Sequence, residues 1–428
     1  MPKYLILIII IIACGGLFFV FSKTRNFEVL NTPGQTLNNQ NVSLPSIPEA
    51  TSSDTKIEIK NNSSDIENQK PLSNPPKVVK AIYITSWVSG IDSRMNELIK
   101  LINNTELNAV VIDIKDYSGY ITYDIKNDDV EKYHAKEIRT PKINSLIKKL
   151  HDNNIYVIAR ITVFQDPVLA KARPDLAVKS RSTGAIWKDS KGLSWMDPAS
   201  KEVWDYNISI AKDAISRGFD EINFDYVRFP SDGNLSDLFF PVWQKTQTNT
   251  EEKSDVIKKF FAYLREQLKG NKISADLFGL ATVNNGDLGI GQVIENAYQY
   301  FDFVCPMVYP SHYASGFLGY KNPASYPYEV IKYSMEIALE RLKNCNLFDG
   351  QHSTTTASIT STTSSSTIST FPKCSVKPLA KLRPWLQDFD LGATYTKEMV
   401  KKEIQAVYDA GISDGWMLWD PKNIYESM

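Results

Sequence analysis

The chain has 428 residues, 43% of them hydrophobic and 11% aromatic, so it is long enough to bury a large core. Its 48 basic and 49 acidic residues give a net charge of −1, which excludes the strongly basic surface of a nucleic-acid-binding protein. Ligand recognition must therefore depend on a local site.

The N-terminal residues 1–23 predict a signal anchor or a signal peptide. Residues 4–21 form an apolar run long enough to span a bilayer at ~1.5 Å per residue, followed by Lys23 and Arg25. We favour an uncleaved anchor, because the run continues past Cys14, where a lipoprotein signal would be cut. Cleavage, lipidation at Cys14 and a buried core helix are the alternatives. The expected location is membrane-anchored and extracytoplasmic, as a single-pass protein or a lipoprotein.

Residues 24–77 are rich in Asn, Ser, Thr and Pro and show no sustained hydrophobic period, so they predict a disordered linker. The folded domain is expected at residues 78–428.

Apolar, β-rich runs alternate with amphipathic helical segments throughout this domain. Such alternation favours an α/β fold, a (β/α)8 TIM barrel, with a doubly wound sheet as the alternative. The last helix is expected to be missing, very short or supplied by residues before Val78. The predicted strands are 81–87, 109–116, 156–164, 221–229, 272–280, 302–310, 381–389 and 415–421.

The fourth predicted strand has two unlike faces, one with Ile222, Phe224 and Tyr226 and the other with Glu221, Asn223 and Asp225. In a barrel, the apolar face packs on helices, and polar lumen residues gather near the functional mouth. We therefore expect Asp225 inside the barrel near that mouth. The same alternation places Arg160, Thr162 and Asp276 in the lumen.

The sequence lacks the usual signatures of metal, serine-nucleophile and phosphate chemistry. The four histidines are scattered, and no HxH, HExxH, CxxC, G-x-S-x-G or Gly-rich phosphate loop occurs. No cofactor and no metal are expected. Paired carboxylates are the remaining catalytic groups, and glycoside hydrolysis requires two carboxyl groups.

Asp225 and Asp276 form the preferred catalytic pair, because they lie on adjacent predicted strands at the same end of the barrel. Asp225 is the predicted nucleophile and Asp276 the predicted acid/base. A retaining mechanism is expected at a carboxyl separation of ~5 Å and an inverting one at ~6.5–9.5 Å. A structural ion pair of Asp225 with Arg228 or Lys115 is the alternative. Other candidate carboxylates are Asp113, Asp116, Asp388 and Asp420.

A mixture of aromatic and polar side chains at the same end suits a carbohydrate, because aromatic faces cover the apolar faces of sugar rings. By strand alternation, the Arg228 side chain is expected to face outward from the barrel. It reaches the substrate only if the strand ends or bulges there. The long segment 164–200 is expected to fold over the mouth and carry Trp187 and Trp195 to the substrate. The predicted substrate-binding residues are Trp87, Asp113, Lys115, Trp195, Arg228, Tyr309, His312, Trp385, Gln387 and Trp419.

Cys345 and Cys374 bracket a Ser/Thr-rich low-complexity insertion at residues 346–373. A disulfide between them would close a loop of about 28 residues and add ~3 kcal/mol. Two free thiols are the alternative.

Several blocks resemble the putative glycoside hydrolase domain family, whose members are largely uncharacterised exported proteins of bacteria and archaea. The resemblance covers residues 79–425 and is carried by "AIYITSW", "NAVVIDIKDYSGYITYD", "GFDEINFDYVRFP", "MVYPSHY" and "LRPWLQDF". It implies a (β/α)8 barrel distantly similar to α-amylase-type hydrolases. Their nucleophile, an Asp ending strand four, matches Asp225, whereas their acid/base is a Glu where this chain has Asp276. The chain is also weakly similar to chitinase-type barrels. Those enzymes carry a Glu at the end of strand four, at the position where this chain has Val227.

The predicted function is hydrolysis of an extracytoplasmic oligo- or polysaccharide. The rival interpretation is a noncatalytic carbohydrate-binding or cell-envelope protein on the same barrel. A metal-dependent barrel would require a metal site at His312. The expected partners are a carbohydrate substrate and a membrane contacted through residues 4–21.

Overall fold

The computed structural model describes residues 64–244, 250–346, 371–372 and 374–428. Within them, eight parallel strands form one closed sheet, in which each strand pairs with the next and β8 pairs with β1. Pairing of β7 with both β6 and β8 closes the ring. The strands are β1 (Val79–Ile84), β2 (Ala109–Lys115), β3 (Tyr156–Thr162), β4 (Glu221–Asp225), β5 (Ile273–Phe278), β6 (Phe303–Met307), β7 (Lys381–Leu382 and Trp385–Gln387) and β8 (Gly415–Trp419).

The predicted barrel is confirmed, and the doubly wound alternative is wrong, because an open sheet would leave two strands with a single neighbour. Helices follow the strands and form the outer layer of the described part of the chain. They are α1 (Ser86–Ser89), α2 (Asp92–Asn103), α3 (Asp128–Lys132), α4 (Ile143–His151), α5 (Pro167–Ala172), α6 (Lys201–Ser216), α7 (Lys253–Gln267), α8 (Ile294–Tyr298), α9 (Pro327–Asn346) and α10 (Lys397–Asp409).

Side-chain caps fix where several helices begin. Ser200 accepts a hydrogen bond from the Val203 amide at the start of α6, and Thr396 accepts one from the Met399 amide at the start of α10. These bonds satisfy amides that have no partner within the helix, so each helix begins directly after its cap.

Alternation along the strands creates two apolar layers. On β2, Val110 and Ile112 pack in the outer layer between sheet and helices, whereas Ala109 and Val111 belong to the lumen. Because the lumen side chains fill the interior, the barrel has a solid floor beneath its carboxyl-terminal mouth.

The polar face of β4 forms a column inside the barrel. Glu221, deepest in the column, pairs with Arg383. Asn223 lies one layer higher, and Asp225 at the top pairs with Arg160. Each of these side chains has at least one polar partner, which is the condition under which polar residues are tolerated in a barrel interior.

Residues 64–77, which lie before the predicted domain boundary at Val78, contact the barrel. The Asp65 carboxylate accepts hydrogen bonds from the Asn144 and Ser145 amides at the start of α4, at 2.6 and 3.0 Å. The Gln69 amide donates to the Arg217 carbonyl at 3.1 Å. Residues 64–77 are therefore packed on the barrel, and the prediction of a disordered linker is wrong for this part of 24–77.

Residues 420–428 after β8 contain no helix. Instead, Asn423 and Tyr425 donate hydrogen bonds to the Tyr83 carbonyl, which ties this segment to the end of β1. In the described part of the chain, no helix is both long and apolar enough to cross a bilayer. The predicted membrane segment, residues 4–21, lies outside the described residues.

Cys345 at the end of α9 and Cys374 form a disulfide, as predicted from their positions around the insertion. Both residues are 3% exposed and pack in the outer apolar layer. Most of the predicted insertion, residues 346–373, lies outside the described residues.

Candidate active site

A cavity of about 450 Å³ opens at the carboxyl-terminal mouth of the barrel. Its volume lies in the range typical of small-ligand sites, and its position is where barrel enzymes place their active sites. Charged groups from three strands line its floor, namely Arg160 of β3, Asp225 of β4 and Asp276 of β5. Aromatic residues form much of the wall: Tyr226, Phe278, Tyr309, Trp385, Phe389 and Trp419.

Arg160 holds three carboxylates around one guanidinium. Its Nη1 lies 2.6 Å from Asp113 Oδ1, its Nη2 hydrogen-bonds Asp225 Oδ2, and its Nε lies 3.7 Å from Asp276 Oδ2. The arginine is 5% exposed, and the nearby carboxylates raise its pKa despite the opposing effect of burial. Asp225 and Asp276 therefore lie side by side along one edge of a fixed cation.

Asp276 has the most perturbed environment among the cavity carboxyls. Its Oδ1 accepts hydrogen bonds from Asn223 Nδ2 at 2.9 Å and Trp385 Nε1 at 2.7 Å. Its Oδ2 has no hydrogen-bond partner among the described residues. Burial, reinforced by the neighbouring Asp225 charge, raises the pKa of Asp276 to about 8. The group is accordingly protonated at neutral pH, with Oδ2 free to carry the proton.

Asp113, predicted to bind substrate, lies beneath the cavity floor rather than on it. It bonds Arg160 and the Tyr83 hydroxyl and is only 2% exposed. Burial raises its pKa. Its contacts position Arg160 from below, so it supports the site without direct access to a ligand.

The chain breaks its strand alternation immediately after Asp225. Tyr226 has a φ of 54°, a left-handed backbone conformation that a tyrosine rarely adopts. Its amide donates to Asp225 Oδ1 at 2.6 Å, and its ring lines the cavity. The prediction that Tyr226 faces the helices is therefore wrong. The same turn brings Arg228 to the cavity, as predicted for a strand that ends here.

Side chains beneath the cavity pack against its aromatic wall. The Trp419 ring stacks on Tyr83 with centroids 3.8 Å apart, and the Arg160 guanidinium lies 5.0 Å from the Trp419 centroid. Trp385 and Tyr309 also line the cavity. The predictions that Tyr309, Trp385 and Trp419 lie at the mouth agree with their positions.

The long connection after β3 reaches the cavity through polar residues, which the structure places at the rim: Gln165, Asp189, Ser190 and Lys191. Its two tryptophans do not line the cavity. Trp187 donates to the Asn234 carbonyl, and Trp195, fully buried, donates to Asp189 at 3.0 Å. Trp195, predicted to contact substrate, therefore lies outside the cavity lining, and its indole N–H instead holds the loop through Asp189.

Lys115 is also outside the cavity. The pairing of β2 with β3 is irregular between Asp113 and Lys115, and this bulge turns the lysine out of the lumen. Its ammonium lies 2.8 Å from Asp166 and donates to the Thr162 carbonyl at 2.6 Å. Lys115, predicted to bind substrate, is thus an internal ion-pair partner that does not line the cavity.

Trp87 lies outside the cavity because β1 ends at Ile84. Thr85 caps α1, so Trp87 belongs to a short helix, is 60% exposed and lies 4.4 Å from the Arg139 guanidinium. Gln387 is buried and bonds the Ser311 amide and the Phe389 carbonyl instead of lining the cavity.

The alternative carboxylates form ion pairs or hydrogen bonds outside the cavity. Asp116 pairs with Arg139, Asp388 accepts from Ser427, and Asp420 accepts from the Lys422 and Ile424 amides. None of them lines the cavity. Of the candidate carboxylates named from the sequence, Asp225 and Asp276 are the two that line the cavity.

His312 lines the cavity next to Tyr309 and Phe389, as predicted for a binding residue. Burial, with a contribution from Lys191, lowers the pKa of His312 to about 4, so the ring is neutral at neutral pH. Across residues 64–244, 250–346, 371–372 and 374–428, no three His, Cys, Asp or Glu side chains are grouped as metal ligands.

Sequence reasoning missed three parts of the site. Arg160 was placed in the lumen but not recognised as the cation that joins the carboxylates, although it shares their parity. Tyr226 was missed because nothing in the sequence marks its left-handed backbone. Phe278 lines the wall from the last position of β5, where alternation with Asp276 gave the signal.

The family model described as "Putative glycosyl hydrolase domain" matches residues 81–354 and 350–425. A hypothetical protein of Ruminiclostridium thermocellum is 43% identical, covering 46% of this chain and 96% of that one, with a TM-score of 0.42. None of the curated proteins matches the chain.

Two further solved structures are similar at low identity. The α-galactosidase of Thermus thermophilus in complex with stachyose is 12% identical, with 84% of this chain and 65% of that chain covered and a TM-score of 0.46. The chitobiase of Flavobacterium johnsoniae is 11% identical, with 61% and 37% covered and a TM-score of 0.40. This chain thus spans less than two thirds of either enzyme.

Proposed function

The chain belongs to the putative glycosyl hydrolase domain family, and from that membership we propose that it hydrolyses O-glycosidic bonds in an oligo- or polysaccharide. The observation that carries the proposal is a pair of carboxyl groups in unlike electrostatic environments at the floor of one cavity. Asp225 is paired with the Arg160 cation, whereas Asp276 is held protonated at neutral pH. Glycosidases separate their two carboxyl roles in this way.

In the proposed mechanism, Asp276 is the general acid. Its Oδ2 donates a proton to the glycosidic oxygen as the bond to the anomeric carbon breaks, so the leaving sugar departs as a neutral alcohol. The two donors on Oδ1, Asn223 and Trp385, keep the proton on the other oxygen. They also fix the orientation of the carboxyl group at the cavity floor.

Asp225 is the nucleophile. Its carboxylate attacks the anomeric carbon and forms a glycosyl ester, which water then cleaves with Asp276 acting as base. Both carboxyls contact the Nε and Nη2 edge of one guanidinium, which supports the shorter, retaining separation of ~5 Å. Release of product with retained anomeric configuration is the expected stereochemical outcome.

Trp419 and Tyr309 provide the surfaces for the sugar rings, whereas the fully buried Trp385 packs against Trp419 from beneath. Aromatic faces pack on the C–H faces of a pyranose, while the polar floor bonds its hydroxyl groups. Trp87, exposed outside the cavity, is available only to sugars that extend beyond it.

We further propose that the barrel works outside the cytoplasm, anchored through residues 4–21. Two observations support this location. The apolar length of that segment is that of a membrane span, and the Cys345–Cys374 disulfide is typical of oxidising compartments. An oligo- or polysaccharide of the cell envelope or its surroundings would be the accessible substrate.

A noncatalytic carbohydrate-binding protein is the second candidate function. The ion pair of Asp225 with Arg160 favours it, because a carboxylate fixed by a cation is a weaker nucleophile. Such a protein would use the same cavity and aromatic wall, but would bind sugars without cleaving them.

A hydrolysis assay on a panel of purified glycans separates the two functions. The full-length protein and its Asp225→Asn variant would be compared for released reducing ends and for bound glycan. Release by the parent that is lost in the variant, with binding retained, supports the hydrolase. Binding without release by both proteins would instead identify the carbohydrate-binding protein.

A further inference from the structure

Arg228 lies at the side of the cavity and has no anionic partner among the described residues. It is 6% exposed and lines the cavity, yet no carboxylate among the described residues lies within ion-pair distance of its guanidinium. A buried charge without a counter-ion is costly, so natural proteins rarely keep one. The geometry therefore calls for a negatively charged partner from outside the chain.

Aromatic rings enclose the faces of this guanidinium. Its Cζ lies 4.7 Å from the Trp195 centroid, 4.6 Å from Phe278 and 5.2 Å from Tyr226. Burial lowers its pKa. Since the faces are covered, only the hydrogen-bonding edges of the guanidinium remain for a ligand.

One edge of Arg228 is unused. Its Nη1 donates to the Phe229 carbonyl at 3.2 Å and to Ser231 Oγ at 3.0 Å. Its Nε and Nη2 make no hydrogen bond within the described residues, and neither is sealed away from the cavity. Nε and Nη2 form the fork with which arginine binds two oxygens of one oxyanion.

The acidic residues nearest to Arg228 form hydrogen bonds or ion pairs with other groups. Asp189 accepts four hydrogen bonds, from Gln165, Trp195 and two backbone amides, and Asp225 is paired with Arg160. Asp232 accepts from the Ser190 amide and acts on Arg228 only at longer range. At the rim, Lys191 adds a second positive charge on the same side.

We propose that this cavity selects a sugar bearing an oxyanion substituent, a carboxylate or a sulfate ester, which binds the Nε and Nη2 edge of Arg228. The proposal rests on the proposed function and adds the substrate class. The sugar ring would lie on the aromatic wall, with its oxyanion at Arg228 and a glycosidic bond near Asp225 and Asp276. Neutral sugars would leave the arginine unpaired and bind more weakly.

The direct test is NMR observation of the Arg228 Nε–H group, assigned by its absence in Arg228→Gln. The full-length protein is titrated separately with D-glucuronate, D-galacturonate and galactose 6-sulfate, and with neutral glucose and galactose. A shift with at least one anionic sugar, at an affinity on the order of 10- to 100-fold above its neutral counterpart, is expected. The uronate and sulfate titrations identify which oxyanion is preferred.

Matched variants guard against an indirect effect. Arg228→Gln should abolish the preference for anionic sugars, whereas Arg173→Gln, which removes a partly exposed arginine that pairs with Asp175 and Glu202 outside the cavity, should leave it unchanged. If Arg228→Gln does not fold, the comparison of anionic with neutral sugars on the parent protein still decides. Equal affinity for both, or no Nε–H shift with any anionic sugar, overturns the proposal.

Failure of this inference is distinguishable from failure of the proposed function. Hydrolysis of neutral glycans without preference for anionic ones would refute the oxyanion site and leave the hydrolase standing. A strong preference for anionic sugars in binding, without hydrolysis of any glycan, would keep the site and refute the hydrolase.

Discussion

Replacing Trp385 by Phe should raise the pKa of Asp276. The indole Nε1 of Trp385 donates to Asp276 Oδ1 at 2.7 Å, and Phe removes this donor while keeping an aromatic ring in the lumen. A hydrogen bond to a charged acceptor contributes ~1.5–3 kcal/mol and one to a neutral acceptor ~0.5–1.5 kcal/mol. The ionised carboxylate therefore loses about 1 kcal/mol more than the protonated acid.

At 1.36 kcal/mol per pKa unit, a difference of about 1 kcal/mol corresponds to a rise of about 0.7 unit. Starting from a pKa of about 8, the variant should titrate between 8 and 9. The assay is a 13C NMR titration of the aspartate carboxyl groups, in which Asp276→Asn identifies the Asp276 signal. It needs no substrate and therefore does not depend on the assigned activity.

Trp416→Phe provides the control. Trp416 is also fully buried and donates one indole hydrogen bond, to the Tyr408 hydroxyl at 3.1 Å, but it packs in the outer apolar layer. This variant should leave the pKa of Asp276 unchanged. An unchanged or lowered pKa in Trp385→Phe would refute the account of how Asp276 is held.

Three further outcomes are expected. Asp276→Asn should flatten the pH dependence of stability: the raised pKa means that the folded state binds the extra proton, so parent stability falls as pH rises from ~4 through about 8. Thermal unfolding at several pH values tests this, and an equally steep decline in the variant would contradict it. Arg160→Met should lower the free energy of unfolding by ~3–5 kcal/mol, because it leaves buried carboxylates unpaired. The exposed-pair variant Lys148→Met should cost less than ~1 kcal/mol in the same urea titration, and equal losses would refute the reasoning. Replacing Cys345 and Cys374 together by Ser should lower stability by ~3 kcal/mol and remove its sensitivity to reductant, whereas a persisting sensitivity would argue against this disulfide.

The barrel could be predicted from sequence because its signal is repeated eight times. Each strand is a short apolar run followed by a helical segment, and errors of one or two residues at a boundary do not change the architecture. The alternation along β4 and β5 also placed Asp225 and Asp276 correctly in the lumen, because both strands are regular up to those residues.

The prediction was wrong where backbone irregularity breaks the alternation. The bulge after Asp113 removes Lys115 from the lumen, and the left-handed Tyr226 ends the regular alternation of β4. At the end of β1, Thr85 caps a short helix, so Trp87 is helical and no longer part of the strand. Such features depend on tertiary contacts, and residue type alone does not mark them. Arg160 was missed as the centre of the site, because alternation along a strand predicts which face a side chain lies on but not which groups it contacts.

Leaving-group dependence tests the central claim most directly, namely that Asp225 attacks and Asp276 donates the proton. The parent protein, Asp225→Asn and Asp276→Asn would be compared on natural glycosides and on aryl glycosides with an activated leaving group. Asp276→Asn should lose hydrolysis of natural glycosides but retain it on the activated ones, which leave without a proton, whereas Asp225→Asn should lose both. Equal activity of Asp276→Asn and the parent on natural glycosides, or hydrolysis by Asp225→Asn, would contradict the account.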